Sequence, residues 1–207
     1  MSHQEESGGS RVERKKEETK KKIITVAMTL FKEQGFNVTT MEQIAQEVDI
    51  AKGTLYNYFP VKEAILSEYI QRAFKEKNSA RIMRLRKMPD TRSRMILILS
   101  ELIEGVQGQK EIFEKYLVYQ LQKIVSLHKD EHVKSGIRLL ATEIIELGQK
   151  SGEVRNDIPL DILIDLFEFV FIEVAKLFYT EPEKFKPRES IEQCVNLFMN
   201  GVRPESK

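Results

Sequence analysis

A single cysteine, Cys194, is all the thiol that this 207-residue chain carries, and tryptophan is missing altogether. One cysteine rules out an internal disulfide framework and suits a reducing cytosol, so the expected compartment is cytoplasmic. Cys194 sits beside Val195 and Leu197 in the last helical stretch, where a buried, inert thiol is favoured over a redox sensor. There is no long apolar run free of charge. The most apolar stretch, 158–179, is interrupted by Asp161, Asp165, Glu168, Glu173 and Lys176, more charge than a bilayer-spanning helix tolerates. The first residues, MSHQEESGGSRVERKKEETKKK, hold no apolar segment of the kind a signal peptide needs. No glycine-rich phosphate loop, no Ser/His/Asp order and no paired-carboxylate arrangement stands out, which argues against an enzyme. His128 and His132, at i and i+4 in HKDEH, have a spacing that a metal could use. The stretch is also a charge-rich helix junction where solvated side chains are normal, so no metal and no cofactor is assigned.

Period-2 alternation between turn signals is absent as well, and what remains is helical. Hydrophobic residues make up 41% and charged residues 31% of the chain, the balance of an ordinary globular protein. The fold class is all-α, with about nine helices. Residues 1–12, with SGGS, read as a disordered tail. Ile23, Ile24, Ala27, Leu30 and Phe31 then form one stripe of an amphipathic helix. Gly35 stands where a helix ends in the left-handed region. Thr39 or Thr40 offers the next N-cap, with Glu42 or Gln43 completing a capping box. A short helix to about Val48 and another over Lys52 to Phe59, stopped by Pro60, follow. A long helix runs from Val61 to about Leu85. Further helices are expected at about 91–107, 110–127, 131–150, 159–179 and 188–201.

Net charge is +1 overall. It divides unevenly: residues 1–86 hold 16 Lys and Arg against 12 Asp and Glu, and the remainder holds 17 against 20. A mildly basic front half is compatible with nucleic-acid contact there. The run KKEETKKK, 15–22, fits either a place over phosphates or a solvated helix face with i,i+4 pairs.

The segment TTMEQIAQEVDIAKGTLYNYFPVKEAIL, 39–66, carries most of the information. Two short helices joined by a tight turn and packed on an earlier helix make a helix-turn-helix. Ala45 supplies the small residue where the helices cross, and Ile50 the apolar plug after the turn. Leu55 and Phe59 point inward with Phe31 and Ile44. Lys52, Thr54, Tyr56, Asn57 and Tyr58 are left at the surface of the second helix, the one that enters a major groove in such motifs.

This segment resembles the DNA-binding part of the tetracycline-repressor (TetR) family of bacterial transcriptional regulators. The likeness covers about residues 20 to 70, and KGTLYNYFPVKEAIL is its most specific run. The resemblance implies a DNA-binding domain over 13–62, with the motif at 39–58, and an effector-binding and dimerisation domain over 63–203. It implies that Lys52 reaches a phosphate or a guanine edge and that Gly53 lets backbone approach DNA. Thr54 and Asn57 would meet base edges or phosphates. Tyr56 and Tyr58 would stack on sugars or thymine methyls and donate to phosphates. Thr40 would give its hydroxyl or N–H to a phosphate, and Lys62 would pair with another. Two positions depart from the family pattern. Asp49 stands where glycine is common, and Ala51 where a capping serine is common, loosening the start of the recognition helix by about 1 kcal/mol.

The resemblance further implies an effector cavity, with Phe113, Tyr116, Tyr119, Gln120, Phe167, Glu168 and Phe171 as candidate wall residues. An aromatic stripe at helical spacing is equally a plain core. The near all-round apolarity of 159–179 suggests that this helix and 188–201 pair with their mates in a homodimer, as a four-helix bundle. The expected function is that of a ligand-responsive regulator, a repressor that binds a near-palindromic double-stranded operator and is released by a small molecule. The alternative is a helical small-molecule-binding or scaffolding protein of the same fold that does not bind DNA.

Overall fold

The computed structural model describes residues 11–125 and 136–204. His128 and His132 lie outside the described residues. Nine helices make up the described chain, with no strand among them. They are α1 (Arg11–Gln34), α2 (Met41–Val48), α3 (Lys52–Tyr58), α4 (Lys62–Leu85), α5 (Thr91–Gly108), α6 (Lys110–Val125), α7 (Gly136–Lys150), α8 (Leu160–Thr180) and α9 (Pro187–Val202). The chain forms two compact units, one ending at Tyr69 and the other beginning at Ile70.

In the first unit, local chemistry sets each boundary. The stripe of α1 buries Ile23, Ile24, Ala27 and Phe31, while Leu30 is only half-buried. Gly35 takes φ +91° and its N–H closes on the Phe31 carbonyl at 3.1 Å, ending the helix with the residue that enters the left-handed region without penalty. Thr40 then starts α2 with a full capping box. Its Oγ1 accepts from the Gln43 N–H at 3.2 Å, and the Gln43 side chain accepts from the Thr40 N–H at 3.0 Å. Asp49 closes α2 at φ 60°, ψ 53°, a conformation that aspartate tolerates better than most residues. Ala51 begins α3 with no side-chain cap. Leu55 and Phe59 are buried, as are Ile44, Ala45 and Val48, whereas Ile50 is half-buried.

The second unit is built around α5, which packs against α6, α7, α8 and α9. Its buried stripe runs Met95, Ile98, Leu99, Leu102, Ile103, Val106. Asp90 caps α5 by accepting from the Ser93 N–H at 2.7 Å, and Glu153 accepts from the Thr91 N–H at 2.5 Å. These two carboxylates sit at the positive end of the helix dipole. Phe167 of α8 is fully buried, edge-on to Phe198 of α9 with centroids 6.3 Å apart. Burying such a side chain contributes about 1.5–3 kcal/mol. Among the described residues no helix is long and apolar enough to cross a membrane.

Candidate nucleic-acid interface

The short α3 is seven residues with one inward face. Leu55 is fully buried, and Lys52, Gly53, Thr54, Tyr56 and Asn57 are exposed, with Tyr58 half-exposed. Tyr56 keeps 41% of its surface open. The buried Leu55 leaves these side chains on the solvent side of the short helix. Gly53 belongs to the same exposed face. A Cβ built there would meet nothing within 4 Å, so no intramolecular crowding requires glycine.

The lysines behave less simply than their charge suggests. Lys52 forms an ion pair with Glu42 in the first turn of α2 and lies over the Tyr56 ring, 5.8 Å from its centroid. The hydrogen bond from Lys52 holds the Glu42 carboxyl below its ordinary range, and the same bond raises the Lys52 ammonium. Lys22 of α1 donates to the Val48 carbonyl at 2.7 Å, at the last residue of α2, where a cation also favours the helix dipole. Lys20 pairs with Glu68 at 2.9 Å. The run 15–22 therefore supplies internal ties as well as surface charge.

Lys62 is turned inward in the free protein. Its ammonium donates to the carbonyls of Phe36 at 2.6 Å, Thr39 at 3.0 Å and Asn37 at 3.3 Å, and lies 4.6 Å from the centroid of the Phe36 ring. Three carbonyl oxygens thus lie within hydrogen-bond distance of one ammonium, which carries three N–H donors. In the free protein the side chain bends back onto the α1–α2 turn, just as Lys52 is turned toward Glu42. Thr40 lies at the start of α2 with its oxygen accepting from Gln43 and its hydroxyl interacting with the Glu42 carboxylate. Thr39, Thr40, Glu42, Tyr56, Pro60 and Lys62 line an open groove of about 310 Å³.

The seven candidate wall residues of the second unit separate into groups. On α6, Tyr116 is buried and meets Phe113 edge-on at 6.1 Å. Burial pushes its phenol up to about 12, against a hydrogen bond with the Gln120 side chain, and Glu168 adds to the rise. Tyr119 and Gln120 are half-buried. The structure thus brings Phe113, Tyr116, Gln120 and Glu168 together. Phe171 is 2% exposed and belongs to the buried stripe of α8. Phe167 is fully buried, with its ring against Phe198. Reading the sequence missed Arg138 of α7, which pairs with Asp165 at 2.5 Å, Asp161 at 2.6 Å and Glu168 at 3.6 Å. The signal was present: three carboxylates at i, i+4 and i+7 make one acidic face on the most apolar helix. Cys194 is half-buried, and burial followed by the nearby Glu173 raises its thiol above the ordinary value, so it stays protonated at neutral pH. Among the described residues no cluster of three or more metal-ligating side chains occurs.

Fold and surface together define a helix-turn-helix protein whose exposed second helix is shaped for a DNA groove. The family described as bacterial regulatory proteins, tetR family, matches residues 23–69. A negative transcriptional regulator of the biofilm operon icaADBC, IcaR of Staphylococcus aureus, is 33% identical over 182 residues, 88% of this chain and 81% of that protein. An uncharacterised HTH-type transcriptional regulator of Bacillus subtilis, YuxN, is 34% identical over 101 residues. That match spans 48% of this chain and only 34% of YuxN. Among solved structures, the TetR-family repressor FadR of Thermus thermophilus in complex with lauroyl-CoA superposes with a TM-score of 0.72 at 22% identity, covering 91% of this chain and 97% of that one. The chain belongs to the TetR family and is a DNA-binding transcriptional regulator.

Proposed function

We propose that the protein is a ligand-responsive repressor that binds a near-palindromic operator as a homodimer. The observation that carries the reading is the outward face of α3 on a buried Leu55. In this reading Lys52 exchanges Glu42 for a phosphate or guanine edge, and Thr54 and Asn57 meet bases or phosphates. Tyr56 and Tyr58 stack on sugars or thymine methyls. Gly53 admits the backbone closely, and Thr40 donates to a phosphate at the N-terminus of α2. The DNA-binding part is assigned to 13–62 and the effector and dimer part to 63–203. IcaR acts as a negative regulator, which supports repression here, and regulators of this kind work in the cytoplasm.

The dimer is assigned to α8 and α9. Ile162, Leu166 and Phe169 of α8 and Leu197 of α9 are each about half exposed or more, while the opposite face of α8 is buried, so an apolar surface is left for a second copy. The effector is assigned to the region of Phe113, Tyr116, Gln120 and Glu168, and FadR in complex with lauroyl-CoA supports a small-molecule effector. Effector binding shifts the population toward a conformation that holds DNA weakly, with a coupling of about 1–3 kcal/mol. α4 has residues in both units and is the element assigned to carry the shift.

The test is footprinting and fluorescence anisotropy on the region upstream of the protein's own gene. Wild type should protect a near-palindromic site, and Tyr56→Ala should weaken binding to that site at least tenfold. Equal affinity of the two proteins would sink the assignment of α3. Absence of any protected site would favour a small-molecule-binding role without DNA.

A further inference from the structure

We propose that Glu42 is a specificity-determining residue of the helix-turn-helix and reads a G·C base pair together with Lys52. Its carboxylate accepts from the N4 amine of the cytosine while Lys52 donates to the guanine. The inference rests on the reading of α3 given above, in which Lys52 leaves Glu42 for DNA. Glu42 lies in the first turn of α2 and Lys52 is the first residue of α3. Their ion pair bridges the two helices, and each side chain is more than half exposed. Glu42 also lines the same open groove as Tyr56, whose ring lies under the Lys52 ammonium. The acid therefore shares the outward surface from which α3 meets the duplex.

An acid at such a place has few possible partners. Lys52, the Glu42 N–H and the Thr40 hydroxyl hold its carboxyl below the ordinary 4.5, so it meets DNA as an anion that accepts and cannot donate. When Lys52 moves to a guanine, that anion loses its cation beside a polyanion. Phosphate oxygens repel it. Of the groups on base edges in the major groove, only the cytosine N4 amine and the adenine N6 amine donate. Adenine sets its N7 acceptor next to that amine, an edge that suits an Asn or Gln amide, whereas a carboxylate is matched to cytosine. The guanine O6 acceptor and the cytosine N4 donor stand side by side across one G·C pair. Lys52 and Glu42, already in contact, present the complementary donor and acceptor.

Selection from a randomised duplex pool, followed by anisotropy on singly substituted duplexes, reads base preference position by position. Full-length wild type should prefer G·C by about tenfold at one position of each half-site. Glu42→Ala should lose the cytosine part of that preference and leave the other positions as they are. Glu42→Gln should turn the preference there toward adenine. Replacing the cytosine by 2-pyrimidinone, which lacks the N4 amine, should weaken wild type about tenfold and Glu42→Ala less than about twofold. Any general weakening of the duplex cancels in that comparison. Both variants should give wild-type circular dichroism.

Unchanged base preference in Glu42→Ala, with affinity raised alike on every duplex, would show a purely electrostatic role and overturn the proposal. Equal losses for wild type and Glu42→Ala on the 2-pyrimidinone duplex would overturn it too. Sensitivity to Tyr56→Ala alongside either result removes only the cytosine contact. Indifference to Tyr56→Ala removes the reading of α3 and the cytosine contact with it.

Discussion

Replacing Gly53 by alanine puts two consequences in opposition. The glycine is the second residue of α3, exposed, with open space around a built Cβ. In the free protein the methyl meets nothing, and alanine is the better helix former by up to about 0.8–1 kcal/mol in a helix interior. So near a terminus the gain is roughly half of that. For a chain of this size about 0.5 kcal/mol moves Tm upward by roughly 1–2 °C. On DNA the methyl occupies the space through which the backbone of α3 would approach a phosphate or base edge. Losing one good base or phosphate contact costs about 1–3 kcal/mol, roughly 5- to 150-fold in affinity per recognition helix. Thermal unfolding by circular dichroism and anisotropy on the operator duplex read the two sides. A variant that is no less stable and binds at least tenfold more weakly is expected. Undiminished affinity would refute the argument, because the glycine would then serve neither the fold nor the complex.

Gly148 is the opposite case. A Cβ there would lie 2.6 Å from both Thr91 Oγ1 and Val154 Cγ2. Gly148→Ala should therefore cost about 1–3 kcal/mol by overpacking, a fall in Tm of several degrees. At Glu153, burial raises the carboxyl, but the Thr91 N–H, Thr91 and Ser151 hydroxyls and Arg94 together bring it below its ordinary 4.5. A depressed acid stabilises the fold above about 4.5 and loses that contribution as pH falls through the folded value. Melting temperature plotted from about pH 6 to pH 3 should accordingly fall less steeply in Glu153→Gln than in wild type. Glu42→Gln frees Lys52 and removes a negative charge from the DNA face. Affinity for non-specific duplex should rise severalfold, and the salt slope should steepen by up to about one unit. Leu197→Glu, at a position 78% exposed, should leave unfolding within about 0.5 kcal/mol of wild type. If α8 and α9 carry the dimer, sedimentation should show half the wild-type mass for this variant.

The helix-turn-helix is legible in the sequence because its punctuation is local. Gly35, the Thr40–Gln43 box, Asp49 and Pro60 each act within a few residues, and each helix end falls where that chemistry places it. The buried set Ile44, Ala45, Leu55 and Phe59 follows from period alone. The destinations of the lysines are not legible in the same way. A lysine stem is long and unbranched, and its ammonium accepts any oxygen that the tertiary fold presents. Lys62 meets carbonyls 23 to 26 residues away in sequence, and nothing near it in the sequence distinguishes a carbonyl partner from a phosphate. The same holds for Arg138, whose partners Asp161 and Asp165 lie 23 and 27 residues on. Phe167 is ambiguous in the sequence because α8 carries apolar residues on more than one side, with Ile162, Leu166 and Phe169 exposed as well as Leu163, Phe167 and Phe171 buried. Only the position of Phe198 decides which face meets the core.

How the internal lysines divide bears on how such a protein discriminates among sequences. Lys20 and Lys52 are matched by Glu68 and Glu42, so at short range those pairs offer a phosphate little net charge. Lys22 and Lys62 are held by uncharged carbonyls, so they keep a full positive charge in place and still contribute to the field over the groove. Affinity that is independent of sequence scales with the phosphates a protein neutralises. A DNA-facing unit that commits cations internally therefore gives up part of that affinity and must recover it from contacts needing accurate geometry. Carbonyl-bound lysines serve that need, because they hold α2 at both ends, Lys62 before its first residue and Lys22 at its last. A surface of this kind is easy to switch. Where geometry supplies a large share of the affinity, a coupling of about 1–3 kcal/mol, or 5- to 150-fold, is enough to move the protein from the operator into the background of non-specific DNA.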